Sequence, residues 1–195
     1  MNFILASKSP RRREILDNLG IRFEVVTAET DESSAITDPA MLVEELSDRK
    51  GRAVQSLLLA QGRDLSSTVI ISSDTVVSVD GKILGKPRDR ADAERMLRSL
   101  SGREHEVISG ISLIGGEKQG RAHEITRVRF ATLTEENLRF YLDSSEPYDK
   151  AGAYAVQGLA SMWIEGLHGC YFNVVGLPVH KMCTLYSELF GKEIL

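Results

Sequence analysis

Apolar residues at strand spacing and at helix spacing take turns along this chain, and hairpin patterns interrupt the alternation. That order restricts the fold more than any other feature. Strict strand–helix–strand succession builds an all-parallel sheet, whereas hairpins insert antiparallel neighbours. The expected class is therefore α/β, a mixed twisted sheet flanked by helices. "NFILAS" reads as a buried strand. Ser9 stands where an N-cap belongs, Pro10 suits a first helical turn, and Gly20 is a stop signal beyond Ile15, Leu16 and Leu19. "RFEVV" reads as a second strand and "TAETDESSAITD" as a polar acidic loop. Asp38-Pro39 opens a long helix that runs roughly to Ala60 and closes at Gly62.

Further along, "TVIISSDTVVSVDGKILGKP" reads as strand, bend, strand and a turn at Asp80-Gly81. In "DRADAERMLRSLSG", Ala93, Met96, Leu97 and Leu100 fall on one helical face. The spacing then predicts a long hairpin turning near Gly115-Gly116 and a helix capped by Thr134. A Gly-rich region follows, then a strand around "YFNVVGL" and a last helix from Pro178. No repeat or low-complexity tract divides the 195 residues, so one domain over 1–195 is expected.

Composition excludes several function classes. With 42% hydrophobic and 27% charged residues the chain is an ordinary globular sequence. A net charge of −4 and only 6% aromatics argue against a nucleic-acid partner, which calls for a basic face or stacking platforms. No apolar run reaches the ~18 residues of a membrane span, and "MNFILASKSPRRR" reverses the charge order of a signal peptide. Two cysteines, Cys170 and Cys183, lack zinc-type spacing and fit a reducing, cytoplasmic compartment.

Against this acidic background "ILASKSPRRREIL" concentrates positive charge. Small residues between a strand and a helix N-terminus make an anion site, to which Ser7, Ser9, Arg11 and Arg12 would add donors. The alternative is a solvated helix start. Arg13 is spaced to pair with Asp17 on the solvent side. Asp74 interrupts two apolar runs, so its carboxylate is paired, metal-bound or catalytic, or else it bends the chain. Lys50 shares the apolar stripe of Val43, Leu46, Val54 and Leu57. It either snorkels to a rim or meets a buried anion. Gly51 beside it is costly inside a helix and implies close packing or a ligand.

Three more segments offer chemistry. The hairpin after Asp74 returns Lys86 of "GKP" toward that region. Glu32 of the acidic loop, with Asp74, would make a two-carboxylate oxygen site suited to Mg²⁺ or Mn²⁺, unless the loop is merely solvated. "YDKAGAYAVQG" carries small residues that admit a close ligand, and Gln157 has both donor and acceptor for a base edge; a bulged strand is the plainer alternative. The four histidines form no metal motif, and no serine or cysteine nucleophile motif is present.

Cations for phosphates, carboxylates for an ion or a water, and an amide for a base make up the equipment of a nucleotide hydrolase. In order along the chain, "ASKSPRR", "SSDTVV", "GKP", "DKAGAYAVQG" and "NVVGLPV" resemble the Maf family of nucleoside triphosphate pyrophosphatases. The resemblance implies two lobes around a deep cleft, a fold similar to inosine-triphosphate pyrophosphatases, and a homodimer. It implies cleavage between α- and β-phosphates with Mg²⁺ or Mn²⁺ present. On this chain it makes Asp74 the base for water, Lys50 and Lys86 the phosphate holders, and Glu32 a metal or water partner. Arg11, Thr75 and Gln157 match positions tied to substrate choice. "DKAGAY…QG" is similar to the branch acting on dTTP and UTP, whereas the 7-methyl-GTP branch has a "CAGS…VEG" type of segment. The same chemistry on ITP or 7-methyl-GTP, and a nucleotide-binding regulator without catalysis, are the alternatives.

Overall fold

A computed structural model describes residues 1–194. Seven strands form one mixed sheet. They are β1 (Asn2–Leu5), β2 (Phe23–Val25), β3 (Thr68–Val79), β4 (Lys82–Leu84), β5 (Glu104–Gly115), β6 (Lys118–Phe130) and β7 (Ile164–His168). Their order is β2-β1-β3-β5-β6-β7, with β4 paired to β3 off that path. β1 runs parallel to both β2 and β3, with Ile4 opposite Glu24 and Ile70. β4 and β7 are antiparallel to β3 and β6. The expected mixed sheet with helices is thus present. The helices are α1 (Pro10–Asn18), α2 (Pro39–Ala60), α3 (Arg90–Leu100), α4 (Glu135–Leu142), α5 (Tyr171–Val175) and α6 (Val179–Phe190).

The chain forms two compact units. The first holds Met1–Asp74, Ser109–Glu124 and the chain from Gly176 onward. Its core includes Ile4, Ala6, Val54, Leu58, Leu65, Ile70 and Ile114. The helix α2 begins where Asp38 accepts the Met41 N–H and Pro39 fills a position that needs no donor. The second unit holds Thr75–Ile108 and Ile125–Val175. Its core gathers Val77, Val79, Met96, Leu97, Phe130, Tyr141 and Tyr154. All four predicted apolar positions of α3 are buried there. Thr134 and Asn137 close a reciprocal capping box at α4.

Three local expectations need correction. β3 has no bend at Asp74; it is one strand, and every residue but Thr75 is buried. A strand with neighbours on both sides satisfies its backbone in the ladder, and Asp74 has a lysine partner instead of a turn. "YFNVV" is helix α5, despite its β-branched pair. Asn173 fixes it by donating Nδ2 to the Val107 carbonyl and Thr126 Oγ1, both at 2.9 Å. The strand of this region is β7, whose mostly exposed residues carry no alternating pattern. Finally, Arg13 and Asp17 are exposed, and no ion pair joins them among the described residues.

Candidate active site

Two missing side chains seat α2 on the strands of the first unit. A Cβ on Gly110 of β5 would come within 2.2 Å of the Val43 carbonyl oxygen, so the helix backbone lies directly on that strand. A Cβ on Gly51 would meet Ser72 Oγ at 2.8 Å and Ile114 Cδ1 at 3.0 Å. Close packing is therefore the reason for glycine within this helix. Ser72 Oγ also donates to the Ser47 carbonyl at 2.7 Å, joining β3 to α2. Side chains two apart share a strand face, so Asp74 points the same way as Ser72, toward the helix. Lys50 meets it there. Its Nζ lies 2.6 Å from Asp74 Oδ1 and 2.8 Å from Glu32 Oε1. An ammonium between two carboxylates offsets the cost of holding Asp74 at 9% exposure.

Glu32 stands in an otherwise exposed loop, with 60% of its side chain accessible. Arg49, next to Lys50 on α2, holds that loop. It donates to the carbonyls of Asp31 and, at 2.9 Å, Ser33, the two residues flanking Glu32. Asp31 in turn accepts the Ser33 N–H at 2.8 Å and its hydroxyl at 2.7 Å, which holds the Asp31 carboxyl below its usual range. Nothing in residue spacing singles out Arg49; its role follows from where α2 is seated.

The opposite face of β3 carries Ser73, whose hydroxyl donates to the Gly176 carbonyl at 2.9 Å. Arg12 Nε donates to the same carbonyl at 2.7 Å, and Arg12 Nη1 to Ser7 Oγ at 3.2 Å. The Ser9 N–H reaches Ser7 Oγ as well. Burial lowers the Arg12 pKa, and the charge of Asp74 works against that shift. The solvated-helix reading fails for Arg12 and holds for Arg13, which is exposed. Ser9 occupies the N-cap position of α1, but its side chain makes no capping bond and no acid lies in the first turn. The positive end of that helix therefore has no capping side chain of its own.

Glu32 and Asp74 are the carboxylates at this place, and no group of three His, Cys, Asp or Glu side chains is arranged for a metal among the described residues. Two carboxylate oxygens with the remaining positions left to water and phosphate suit Mg²⁺, which seldom takes an all-protein cage. Lys50 Nζ, 2.6 Å from Asp74 and 2.8 Å from Glu32, would share these carboxylates with such an ion.

Lys86, Thr75 and Gln157 belong to the second unit. Thr75 follows Asp74 on β3 and is half-buried. Lys86 is exposed just after β4, on a loop fixed at both ends. The Gly152 N–H donates to the Gly85 carbonyl at 3.0 Å, and Asp92 accepts the Arg88 N–H at 3.2 Å. Gln157 is exposed in a turn closed by the Gly158 N–H on the Ala155 carbonyl at 3.3 Å. Around it the chain is not a bulged strand but short 3₁₀ turns, Glu146–Asp149, Ala151–Ala153 and Leu159–Trp163. Tyr154 anchors this segment. Its hydroxyl lies 2.7 Å from His105 Nε2, and its ring packs on Phe130 at 4.7 Å between centroids. Burial pushes the His105 pKa down to about 4.

The family model described as Maf-like protein matches residues 2–189. The chain is 47% identical over 192 residues to the dTTP/UTP pyrophosphatase of Symbiobacterium thermophilum, covering 98% of this chain and 95% of that one. It is 45% identical over 195 residues to the dTTP/UTP pyrophosphatase of Desulforamulus reducens, covering 98% of each. Among solved structures, the Staphylococcus aureus Ham1 protein aligns at 15% identity with a TM-score of 0.48, over 67% of this chain and 72% of that one. A match along nearly the whole length leads to one conclusion: this chain belongs to the Maf family of nucleoside triphosphate pyrophosphatases.

Proposed function

We propose that this protein hydrolyses dTTP and UTP between the α- and β-phosphates, with Asp74 as the base. The observation that carries the reading is Lys50 Nζ, 2.6 Å from Asp74 and 2.8 Å from Glu32. Asp74 accepts a proton from a water as the water oxygen bonds to the α-phosphorus. The bond from that phosphorus to the bridging oxygen breaks, and pyrophosphate leaves with the electron pair. An ammonium has three N–H donors; two serve the carboxylates and the third is directed to a phosphate oxygen. Arg11, Arg12, Ser7, Ser9 and the N-terminus of α1 offer positive potential to the same phosphates, and Lys86 adds a further cation. Mg²⁺ or Mn²⁺, held by Glu32 and Asp74, would supply charge neutralisation at the phosphate oxygens. Gln157 reads the base edge, and Thr75 lines the substrate position.

The choice of pyrimidine substrates is supported by the "DKAGAYAVQG" segment and by the activity named for relatives more than 40% identical. The reading also includes a cytoplasmic homodimer. Cys170 and Cys183 are free thiols, and no helix among the described residues is long and apolar enough to cross a membrane.

The test is pyrophosphate release by Asp74→Asn, with dTTP, UTP, ITP and 7-methyl-GTP competing in one assay. General-base removal is expected to cost about 10²–10⁴ in kcat, with an unchanged circular dichroism spectrum. A near wild-type rate would remove Asp74 from the mechanism. Wild-type protein that releases no pyrophosphate would make the protein a nucleotide sensor, and preference for ITP or 7-methyl-GTP would move the substrate class.

A further inference from the structure

Gly158 follows Gln157, yet its backbone angles, φ −105° and ψ −153°, do not call for glycine. The reason is Glu146. A Cβ on Gly158 would come 2.1 Å from Glu146 Oε2 and 2.4 Å from Oε1. That carboxylate cannot swing aside freely, because its other contacts fix it. Glu146 Oε1 accepts the Tyr141 hydroxyl at 2.8 Å and the Ala160 N–H at 3.4 Å, and Oε2 accepts the Leu159 N–H at 2.8 Å. Tyr141 is rigid in turn. It is 1% exposed in the core of the second unit and its ring meets Trp163 edge-on at 5.6 Å. The main chain of Glu146 is tied as well, since its carbonyl accepts Lys150 Nζ at 2.9 Å.

One residue therefore grips both ends of the segment that bears Gln157. Its carbonyl holds Lys150, before the small-residue turn, and its carboxylate holds the N–H groups of Leu159 and Ala160, after it. We propose that Glu146 is a positioning residue for base recognition: it fixes the turn from which the Gln157 amide meets the pyrimidine. Glu146 makes no contact with the reacting phosphates in this scheme, so its loss is felt in binding and discrimination rather than in chemistry. The inference rests on the base-reading role of Gln157 and adds to it the element that makes that role specific. An amide on a loose turn samples many orientations and pays an ordering cost on each binding event. Three hydrogen bonds to one carboxylate remove that cost beforehand.

The experiment is steady-state kinetics of the full-length protein with UTP, dTTP and ITP for E146A, E146Q, Q157A and the E146A/Q157A pair, with melting temperatures alongside. E146A is expected to raise KM for UTP and dTTP about tenfold with kcat within about threefold, and to narrow the preference for UTP over ITP. E146Q, which keeps one acceptor oxygen, falls between E146A and wild type. On a Q157A background the E146A change adds nothing further, because what it positions is gone. If E146A does not fold, E146Q carries the same comparison. Unchanged KM in the Glu146 variants while Q157A is impaired overturns the positioning role alone. Equal losses for all three nucleotides, additive with Q157A, reduce Glu146 to a structural residue and also overturn it. An unaltered KM for Q157A overturns the base-reading role first, and this inference with it.

Discussion

Asp74 and Gln157 are held in opposite ways. Asp74 lies inside a buried strand, faces a helix seated through Gly51 and Gly110, and has its charge met by Lys50. Gln157 projects from irregular chain whose shape depends on one carboxylate, one aromatic cluster and glycines in special positions. Regular secondary structure fixes a side chain through many backbone bonds, so no single neighbour is decisive. An irregular segment is fixed by a few side-chain contacts, and each matters. The arrangement suits the proposed division of labour. Charge stabilisation needs groups that do not reorganise, whereas a base-reading segment can change preference by altering a few contacts.

The largest effect that tests this contrast is at Lys50. Lys50→Met keeps the length and helix propensity of the side chain and removes the cation. Asp74 then keeps its partly buried charge with its nearest ion-pair partner gone. Activity is expected to fall by about 10²–10³, the usual scale for one electrostatic contact in such a site. Stability also drops, as when one partner of a poorly solvated pair is removed. Pyrophosphate release and urea unfolding check both. Wild-type activity would mean that the ammonium between Asp74 and Glu32 plays no part in turnover.

These two regions also differ in what their residues disclose before folding. The apolar stripe of α2 made Lys50 stand out, and a lone carboxylate between apolar runs marked Asp74; both signals are periodic and survive in one dimension. The bend assigned at Asp74 failed because its partner is 24 residues away and local pattern holds no trace of it. Arg12 was legible as a charge, but the carbonyl it binds is 164 residues distant. In the 146–175 region almost nothing was periodic. A helix of β-branched and aromatic residues at Tyr171–Val175 depends on buried Asn173 contacts, and β7 is too exposed to alternate. Nothing in residue spacing singles out Glu146, because two of its three partners are main-chain N–H groups, which have no letter code.

The second test is acid. His105 is 2% exposed, its Nε2 meets Tyr154, and its Nδ1 has no partner among the described residues. Protonation would bury a charge, so burial lowers its pKa to about 4. The unfolded chain takes up that proton near the ordinary histidine value of ~6.5. Between those two pH values the unfolded state binds more protons, and stability falls as pH falls. The loss amounts to about 3 kcal/mol across the window. Comparing unfolding of wild type and His105→Gln from pH 7 to 4 isolates it, since the carboxylates are common to both. Parallel curves would show that the ring takes up its proton equally in the folded and unfolded chain.

The smallest effect comes from neighbouring residues that share one backbone conformation. Gly152 and Ala153 both have positive φ, 67° and 62°. At Gly152 a Cβ would lie 2.8 to 3.0 Å from three atoms of Val77, so Gly152→Ala adds overlap to backbone strain and should cost about 1–3 kcal/mol. Ala153 is already in the left-handed region and fully buried. Ala153→Gly relieves roughly 1–2 kcal/mol of that strain, but glycine gives back roughly 0.5–1 kcal/mol through the freedom of the unfolded chain. It also loses a buried methyl worth about 0.8 kcal/mol. These contributions nearly cancel, so the melting temperature should stay within about 2 °C of wild type, while Gly152→Ala lowers it by several degrees. If Ala153→Gly were strongly destabilising, the methyl of Ala153 would be a packing anchor of the segment, and Glu146 and Tyr154 would not be its main restraints.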